Sequence, residues 1–196
     1  MDTAVVLGLI AGSMHVVAFG IYNKQLFKGE SVPNPATWLL WAIGTVLNLL
    51  TYFHMTRDWV KSLLPTMSSV ACLATFVVAL AKGKLSKPSA GDWSFFGFGL
   101  VALIIWKALG SAAYANLWLQ LSVAVSFVPT FHGVWREPRK ERCLPWFIWS
   151  VAYVFLFATV VMRWQGGWIT VVYPVNGFVM HLIVGVLALR RVRQAR

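Results

Sequence analysis

The chain has little charge and few acidic residues. Of its 196 residues, 12% are charged and six are acidic, whereas 59% are hydrophobic and the mean hydropathy is +0.70. A soluble domain carries about 25% charged residues, so an ordinary water-soluble globule is excluded. A disordered chain is excluded as well, because such chains are poor in apolar side chains. The basic residues behind the net charge of +11 lie between long uncharged runs, which is typical of a multi-span membrane protein.

The sequence also has few cysteines and lacks the basic region with which a signal peptide begins. Cys72 and Cys143 are the two cysteines, too few for a disulfide framework, and we expect free thiols. The chain begins Met1-Asp2-Thr3 without a basic region, so we expect the first apolar run to be a retained helix rather than a cleaved leader. The last apolar run, residues 164–189, contains no lysine, which excludes a retinal protein.

The uncharged runs predict seven transmembrane helices. The stretch 93–135 is too long for one crossing, and we predict two helices hinged near Leu109-Gly110-Ser111, with Lys107 reaching the membrane surface. The predicted spans are 3–23, 33–56, 62–81, 93–106, 108–135, 144–162 and 164–189.

The distribution of basic residues predicts the orientation. Of the 17 lysines and arginines, four lie on one side: Arg57, Lys61, Lys107 and Arg163. The other 13 fall after the first, third and fifth spans and in the C-terminal tail. By the positive-inside rule the N-terminus is outside and the C-terminus cytoplasmic. The basic clusters therefore indicate contact with membrane lipids, and no nucleic-acid partner is expected.

The two ends of the chain resemble one another. Trp38 and Trp41 match Trp146 and Trp149 at an offset of 108, and further matches follow at 109. This predicts an all-α membrane protein of two parallel three-helix bundles, residues 1–82 and 112–196, joined by a linker helix at 92–110. Such repeats are related by an axis along the membrane normal and hold substrate near the midplane.

In this plan the chain resembles the superfamily of SWEET sugar facilitators, SemiSWEET, PQ-loop proteins and PnuC vitamin transporters. The resemblance covers the 3+1+3 helix order and the outside N-terminus, although the proline-glutamine dipeptide of the PQ-loop group is absent. It implies transport by alternating access and a multi-pass location, expected in a bacterial inner (plasma) membrane. It also implies that prolines act as hinges; the candidates are Pro65, Pro129 and Pro174. We expect Pro65 and Pro174 each to remove one intrahelical hydrogen bond.

The resemblance implies a substrate-binding asparagine on the third helix of a repeat, and Asn176 fits that position best. An amide suits a polyol or an amide-bearing ring, but Asn176 could equally join helices by a hydrogen bond. The four repeated tryptophans fit an aromatic belt or a pocket wall. His181 and Asn48 are further candidates, because polar residues at membrane depth usually face the bundle interior.

The resemblance also implies an outer gate of a tyrosine and a salt bridge, for which Tyr52, Arg57 and Asp58 are the candidates. Only half of such a gate is visible in the sequence, so a solvated surface pair is the alternative.

The missing acidic residues bear on mechanism. All six carboxylates lie outside or at the edge of the predicted spans, whereas ion-coupled carriers keep an ionisable group at membrane depth. No catalytic or metal-binding constellation can be assembled, so we expect no enzyme, no cofactor and no metal. The sequence predicts an uncoupled facilitator of a small neutral solute, a sugar or vitamin-like nucleoside, acting as a monomer or homo-oligomer. The alternative is a receptor or sensor on the same scaffold without transport.

Overall fold

The computed structural model describes residues 2–28, 35–82, 87, 90–138 and 141–193. This part of the chain contains seven α-helices: α1 (Thr3–Phe27), α2 (Pro35–Thr56), α3 (Leu63–Lys82), α4 (Ala90–Leu109), α5 (Ala112–Arg136), α6 (Cys143–Met162) and α7 (Ile169–Arg193). All seven are long and apolar enough to cross a membrane, which confirms the predicted number of spans. The start of the second predicted span, at 33 and 34, lies outside the described residues.

Glycines in the left-handed region set two of the helix boundaries. Gly110, with φ 63°, separates α4 from α5 at the predicted break, and the Ser111 hydroxyl then accepts a hydrogen bond from the Tyr114 N–H at 3.4 Å. Gly166 and Gly167, with φ 89° and 84°, delay α7 until Ile169. The last span therefore begins five residues later than its uncharged run, because hydropathy does not report the backbone conformation that glycine allows.

Contacts between helices define the arrangement. Helix α3 packs against both α1 and α2, and α7 packs against both α5 and α6. Across the molecule α1 packs against α6, and α2 against α5. Helix α4 packs against α5 and, less extensively, against α2.

The exterior is apolar and the interior carries polar groups. Val77, Ile104 and Trp168 are among many large apolar side chains that are mostly exposed, whereas Asn116 and Ser122 are fully buried. This distribution suits lipid as the surrounding solvent, because the bilayer core favours exposed apolar side chains and penalises unpaired polar ones. The chain is an integral, multi-pass membrane protein.

The prolines occupy different kinds of position. Pro65 is the third residue of α3, where a helix has no intrahelical donor to lose, so the expectation that it removes a hydrogen bond is wrong. Pro174 lies inside α7 and lacks the N–H that would reach the carbonyl of Thr170. That carbonyl instead accepts a hydrogen bond from the Tyr52 hydroxyl at 2.9 Å. Pro129 lies within α5, and the hinge role of all three stays a prediction.

Candidate functional site

A cavity of about 380 Å³ lies among α1, α2, α3, α5, α6 and α7. Its wall includes all four tryptophans predicted from the repeat, together with Asn48 and His181. Ligand-binding pockets have this character, mostly apolar and aromatic walls with a few convergent polar groups.

Most lining residues occur in pairs at the repeat offset. Eight pairs, separated by 108 or 109 residues, supply 16 of the 20 residues around the cavity. The pairs are His15 and Val123, Phe19 and Phe127, Tyr22 and Thr130, Trp38 and Trp146, Trp41 and Trp149, Thr45 and Tyr153, Ser68 and Gly177, and Cys72 and His181. Of the other four, Asn48, Gln120 and Tyr173 have no lining mate among the described residues, and the position that corresponds to Glu141, residue 33, lies outside them.

His181 stands inside a box of aromatic rings. Ring centroids of Phe127, Trp146, Trp149 and Tyr153 lie 5.2 to 5.6 Å from its imidazole. Its Nδ1 lies 2.7 Å from the Gly177 carbonyl oxygen. Because a carbonyl only accepts, Nδ1 donates, and Nε2 of the neutral ring is left as an acceptor in the cavity wall.

Two buried nitrogens beside the cavity have no hydrogen-bond partner among the residues that the structure describes. They are Nδ1 of His15 and Nε1 of Trp149, whose residues are only 2% and 3% exposed. The two rings are 6.2 Å apart. Buried polar atoms are normally paired, so an unpaired nitrogen in each of two adjacent lining rings is typical of a site that a ligand or water completes. His15 was not among the site residues predicted from the sequence; the signal that could have found it is a polar side chain at membrane depth in the first predicted span.

Two amide side chains, those of Asn48 and Gln120, line one part of the cavity, which we call its floor. Gln120 Nε2 donates to Asn48 Oδ1 at 2.8 Å, and Asn116 Nδ2 donates to the same oxygen at 3.1 Å. Asn176 joins this network through Gln120, with its Nδ2 2.9 Å from the Gln120 backbone oxygen. The Asn176 side chain lines a separate apolar groove between α4, α5 and α7 rather than the cavity.

At one end of the bundle the buried Asp58 forms an ion pair with the partly exposed Arg163. Asp58 Oδ2 accepts a hydrogen bond from Arg163 Nε at 2.7 Å, and Arg163 also pairs with the exposed Asp2 at 3.1 Å. The Asp58 side chain is 2% exposed, and its hydrogen bond is the main reason that the pKa of Arg163 is raised. Beside it, burial lowers the pKa of Lys61, although the Asp58 carboxylate opposes that effect.

Of the three predicted gate residues, two are buried at this end and one is exposed. Tyr52 is fully buried and donates to α7, and Asp58 is buried in the ion pair. Arg57 is exposed, with φ 50° just after the end of α2. The cation that pairs with Asp58 is Arg163, 105 residues further along the chain. The alternative of a solvated surface pair is wrong for Asp58.

Glu141 brings a carboxyl group to the cavity wall at the N-terminal end of α6. Its Oε2 accepts a hydrogen bond from Trp146 Nε1 at 3.1 Å. Burial raises the pKa of Glu141 to about 7, and the bond from Trp146 only partly offsets this. The sequence analysis placed all six carboxylates outside or at the edge of the predicted spans, and hydropathy did not reveal that Glu141 lines the cavity.

Glu141 is expected to make stability depend on pH. Its pKa of about 7 in the folded protein exceeds the value of 4.5 for a free side chain, so the folded state holds the proton more tightly. The stability that Glu141 contributes is therefore fully present below pH 4.5 and is lost as pH rises through 7, with a change of about 3 kcal/mol at most. Thermal unfolding in detergent between pH 4 and 9 measures this loss.

Glu141→Gln should flatten that profile, whereas Glu137→Gln, a change on the exposed surface of the same loop, should leave it as in the parent protein. An unchanged slope in Glu141→Gln would contradict the assignment.

Among the described residues there is no group of three or more histidine, cysteine or acidic side chains that could hold a metal ion. Both cysteines are free thiols. No protein-family model, curated protein or solved structure matches the chain. Its function is therefore argued from the geometry of the cavity.

Proposed function

We propose that the chain is a membrane transporter, an uncoupled facilitator that passes a small neutral solute by alternating access. The observation that carries this proposal is the central cavity, closed at one end by buried groups and lined by matched residues from the two halves of the sequence. The unpaired nitrogens of His15 and Trp149 beside this cavity of about 380 Å³ add support, because a bound solute could supply their missing partners.

Helix packing supports two repeated three-helix bundles on either side of that cavity. When α1, α2 and α3 are equated with α5, α6 and α7, the contact of α1 with α6 becomes the contact of α5 with α2, and both occur. The contacts within each set of three also correspond. Together with the eight lining pairs, this favours a pseudo-two-fold axis through the cavity, the geometry in which one bundle can rock against the other.

The position of the closed end indicates from which side of the membrane the cavity is open. The ion pair and Tyr52 lie at the end that holds four of the basic residues, which the positive-inside rule assigns to the outside. In that orientation the structure corresponds to a state closed on the outside, with the tryptophan-lined cavity toward the cytoplasm. Alternating access then requires the Asp58–Arg163 pair to separate in the opposite state.

The walls favour a flat solute. Indole and phenol faces stack on heteroaromatic rings and on the C–H faces of sugars, and the cavity volume lies within the range of small-molecule sites. Both a vitamin-like nucleoside and a sugar fit these features; the extent of the aromatic wall favours the nucleoside.

Solute counterflow in proteoliposomes tests the proposal. Vesicles loaded with unlabelled solute should take up the same labelled solute faster than empty vesicles, for at least one member of a panel of sugars and nucleosides. An imposed pH gradient should not drive accumulation if the mechanism is uncoupled; accumulation driven by the gradient would instead indicate proton coupling, for which Glu141 in the cavity wall is the candidate group. Absence of exchange for the whole panel, with folded protein in the vesicles, would contradict transport; saturable binding without exchange would instead indicate a receptor.

A further inference from the structure

The polar groups of the cavity floor break the symmetry of the site. Asn48 and Gln120 line the cavity, but their counterparts at the repeat offset are Leu156 and Gly12, which do not. Asn48 is 7% and Gln120 3% exposed. These two amides are therefore among the places, with Tyr173 and Glu141, where a pseudo-symmetric cavity can distinguish one end of a solute from the other.

The network fixes which atom of each amide points where. Asn176 donates through Nδ2 to the Gln120 backbone carbonyl at 2.9 Å; a carbonyl accepts only, so this atom must be the nitrogen. The same nitrogen lies 3.2 Å from Gln120 Oε1, which turns the Gln120 oxygen toward α7. The Gln120 Nε2 is then left to donate to Asn48 Oδ1.

The other end of the network gives the same orientation. The Thr51 hydroxyl lies 2.9 Å from the Leu47 carbonyl, to which it donates, so its oxygen accepts from Asn116 Nδ2 at 2.9 Å. That nitrogen also donates to Asn48 Oδ1. Asn48 Oδ1 is thus held by two donors, whereas Asn48 Nδ2 makes no hydrogen bond with any described residue and is not among the fully buried unpaired atoms.

We propose that Asn48 Nδ2 is the donor that selects the solute, by binding a carbonyl oxygen on a flat ring in preference to an amino group. Gln120, Asn116 and Asn176 act as positioning residues that keep the nitrogen of Asn48 toward the cavity. An amino group of the solute next to Asn48 Nδ2 would bring two hydrogen-bond donors together, and both would be left without an acceptor away from bulk water. This inference rests on the proposed function, since it names the class of solute for the same cavity.

Ribosides that differ in one exocyclic group test the selection. Inosine and adenosine differ at C6 by carbonyl and amino, as uridine and cytidine do at C4, and the carbonyl members also carry a ring N–H where the amino members have a bare nitrogen. Purine riboside has hydrogen at C6 and the same bare N1 as adenosine, so its comparison with adenosine isolates the effect of the amino group. Binding to the purified full chain, measured by titration calorimetry, should favour inosine over adenosine and uridine over cytidine by about tenfold or more. Purine riboside should fall between inosine and adenosine.

Variants separate Asn48 from its positioning residues. Asn48→Asp keeps the accepting oxygen and removes the donor, so the carbonyl preference should be lost or inverted. Asn176→Leu removes the hold on Gln120 and should bring the preference below about threefold while both ribosides still bind. Ser122→Ala is the matched control, because it removes a buried polar atom of α5 that has no partner and does not line the cavity.

Equal binding of carbonyl and amino ribosides by the parent protein would overturn the inference, as would an unchanged preference in both Asn48→Asp and Asn176→Leu. If Asn48→Asp does not fold, Asn176→Leu alone decides. Exchange of sugars without binding of any riboside would overturn this inference and leave the proposed transport intact. Failure of the whole counterflow panel would overturn the transport proposal instead.

Discussion

Gly177→Ala is expected to abolish solute binding and to lower stability. A methyl group at this position of α7 would lie 2.4 to 2.6 Å from three ring atoms of Tyr153. That ring is 5% exposed and is held by His15, Tyr173 and His181, whose ring centroids lie 5.2 to 5.6 Å away. The direction with free space is the cavity, so the displaced ring should occupy the place of the solute. Overpacking of this kind costs about 1–3 kcal/mol.

Thermal unfolding and solute binding measure the two effects, and Gly20→Ala provides the matched control. A methyl group at Gly20 of α1 meets nothing within 4 Å, so that change should leave binding intact and stabilise the helix by about 0.5–1 kcal/mol. In a Tyr153→Ala background the penalty of Gly177→Ala should disappear, giving a coupling energy in a double-mutant cycle. Additive effects would show that the methyl group acts through something other than Tyr153.

Arg163→Ala is expected to destabilise the closed end of the bundle by about 1–3 kcal/mol. The substitution leaves the Asp58 carboxylate buried, with backbone N–H groups of Val60 at 2.9 Å and Lys61 at 3.4 Å as its remaining donors and the Lys61 side chain as the neighbouring cation. Removing one member of a buried pair costs more than the pair contributes, because the remaining charge stays away from water. Unfolding in detergent measures the loss, and counterflow reports whether weaker closure changes the exchange rate.

Two variants make that result specific. Asp2→Asn removes the other, exposed partner of Arg163 and should cost less than about 1 kcal/mol. Adding Asp58→Asn to Arg163→Ala removes the stranded charge and should restore a large part of the lost stability. A loss in Asp2→Asn equal to that in Arg163→Ala would place the stabilising interaction at the surface rather than at Asp58.

The helices could be predicted from the sequence because length, hydropathy and glycine decide them locally. Uncharged runs gave seven spans, and the Leu109-Gly110-Ser111 break falls where Gly110 takes a positive φ. The start of α7 was harder to predict from the sequence, because two consecutive glycines, Gly166 and Gly167, continue a loop within an apolar stretch.

The site was predictable where the repeat supplied a constraint and not elsewhere. Trp38 and Trp146 could be found as a pair, and both line the cavity. The direction in which Asn176 faces could not be predicted from the sequence. A helix between lipid and protein is apolar all round and lacks the periodicity that marks an inward side. The partner of Asp58 was hidden for another reason: pairing with Arg163 depends on how helices meet across 105 residues of chain.

The carbonyl of Thr170 gives Pro174 a consequence beyond the shape of α7. Any other residue at 174 would offer an N–H to that carbonyl and compete with the hydroxyl of Tyr52 for it. The hydroxyl of Tyr52 and the ring of Pro174 therefore depend on one another across two helices. Tyr52→Phe should cost less stability in a Pro174→Ala background than in the parent protein, and a double-mutant cycle of unfolding in detergent measures the difference.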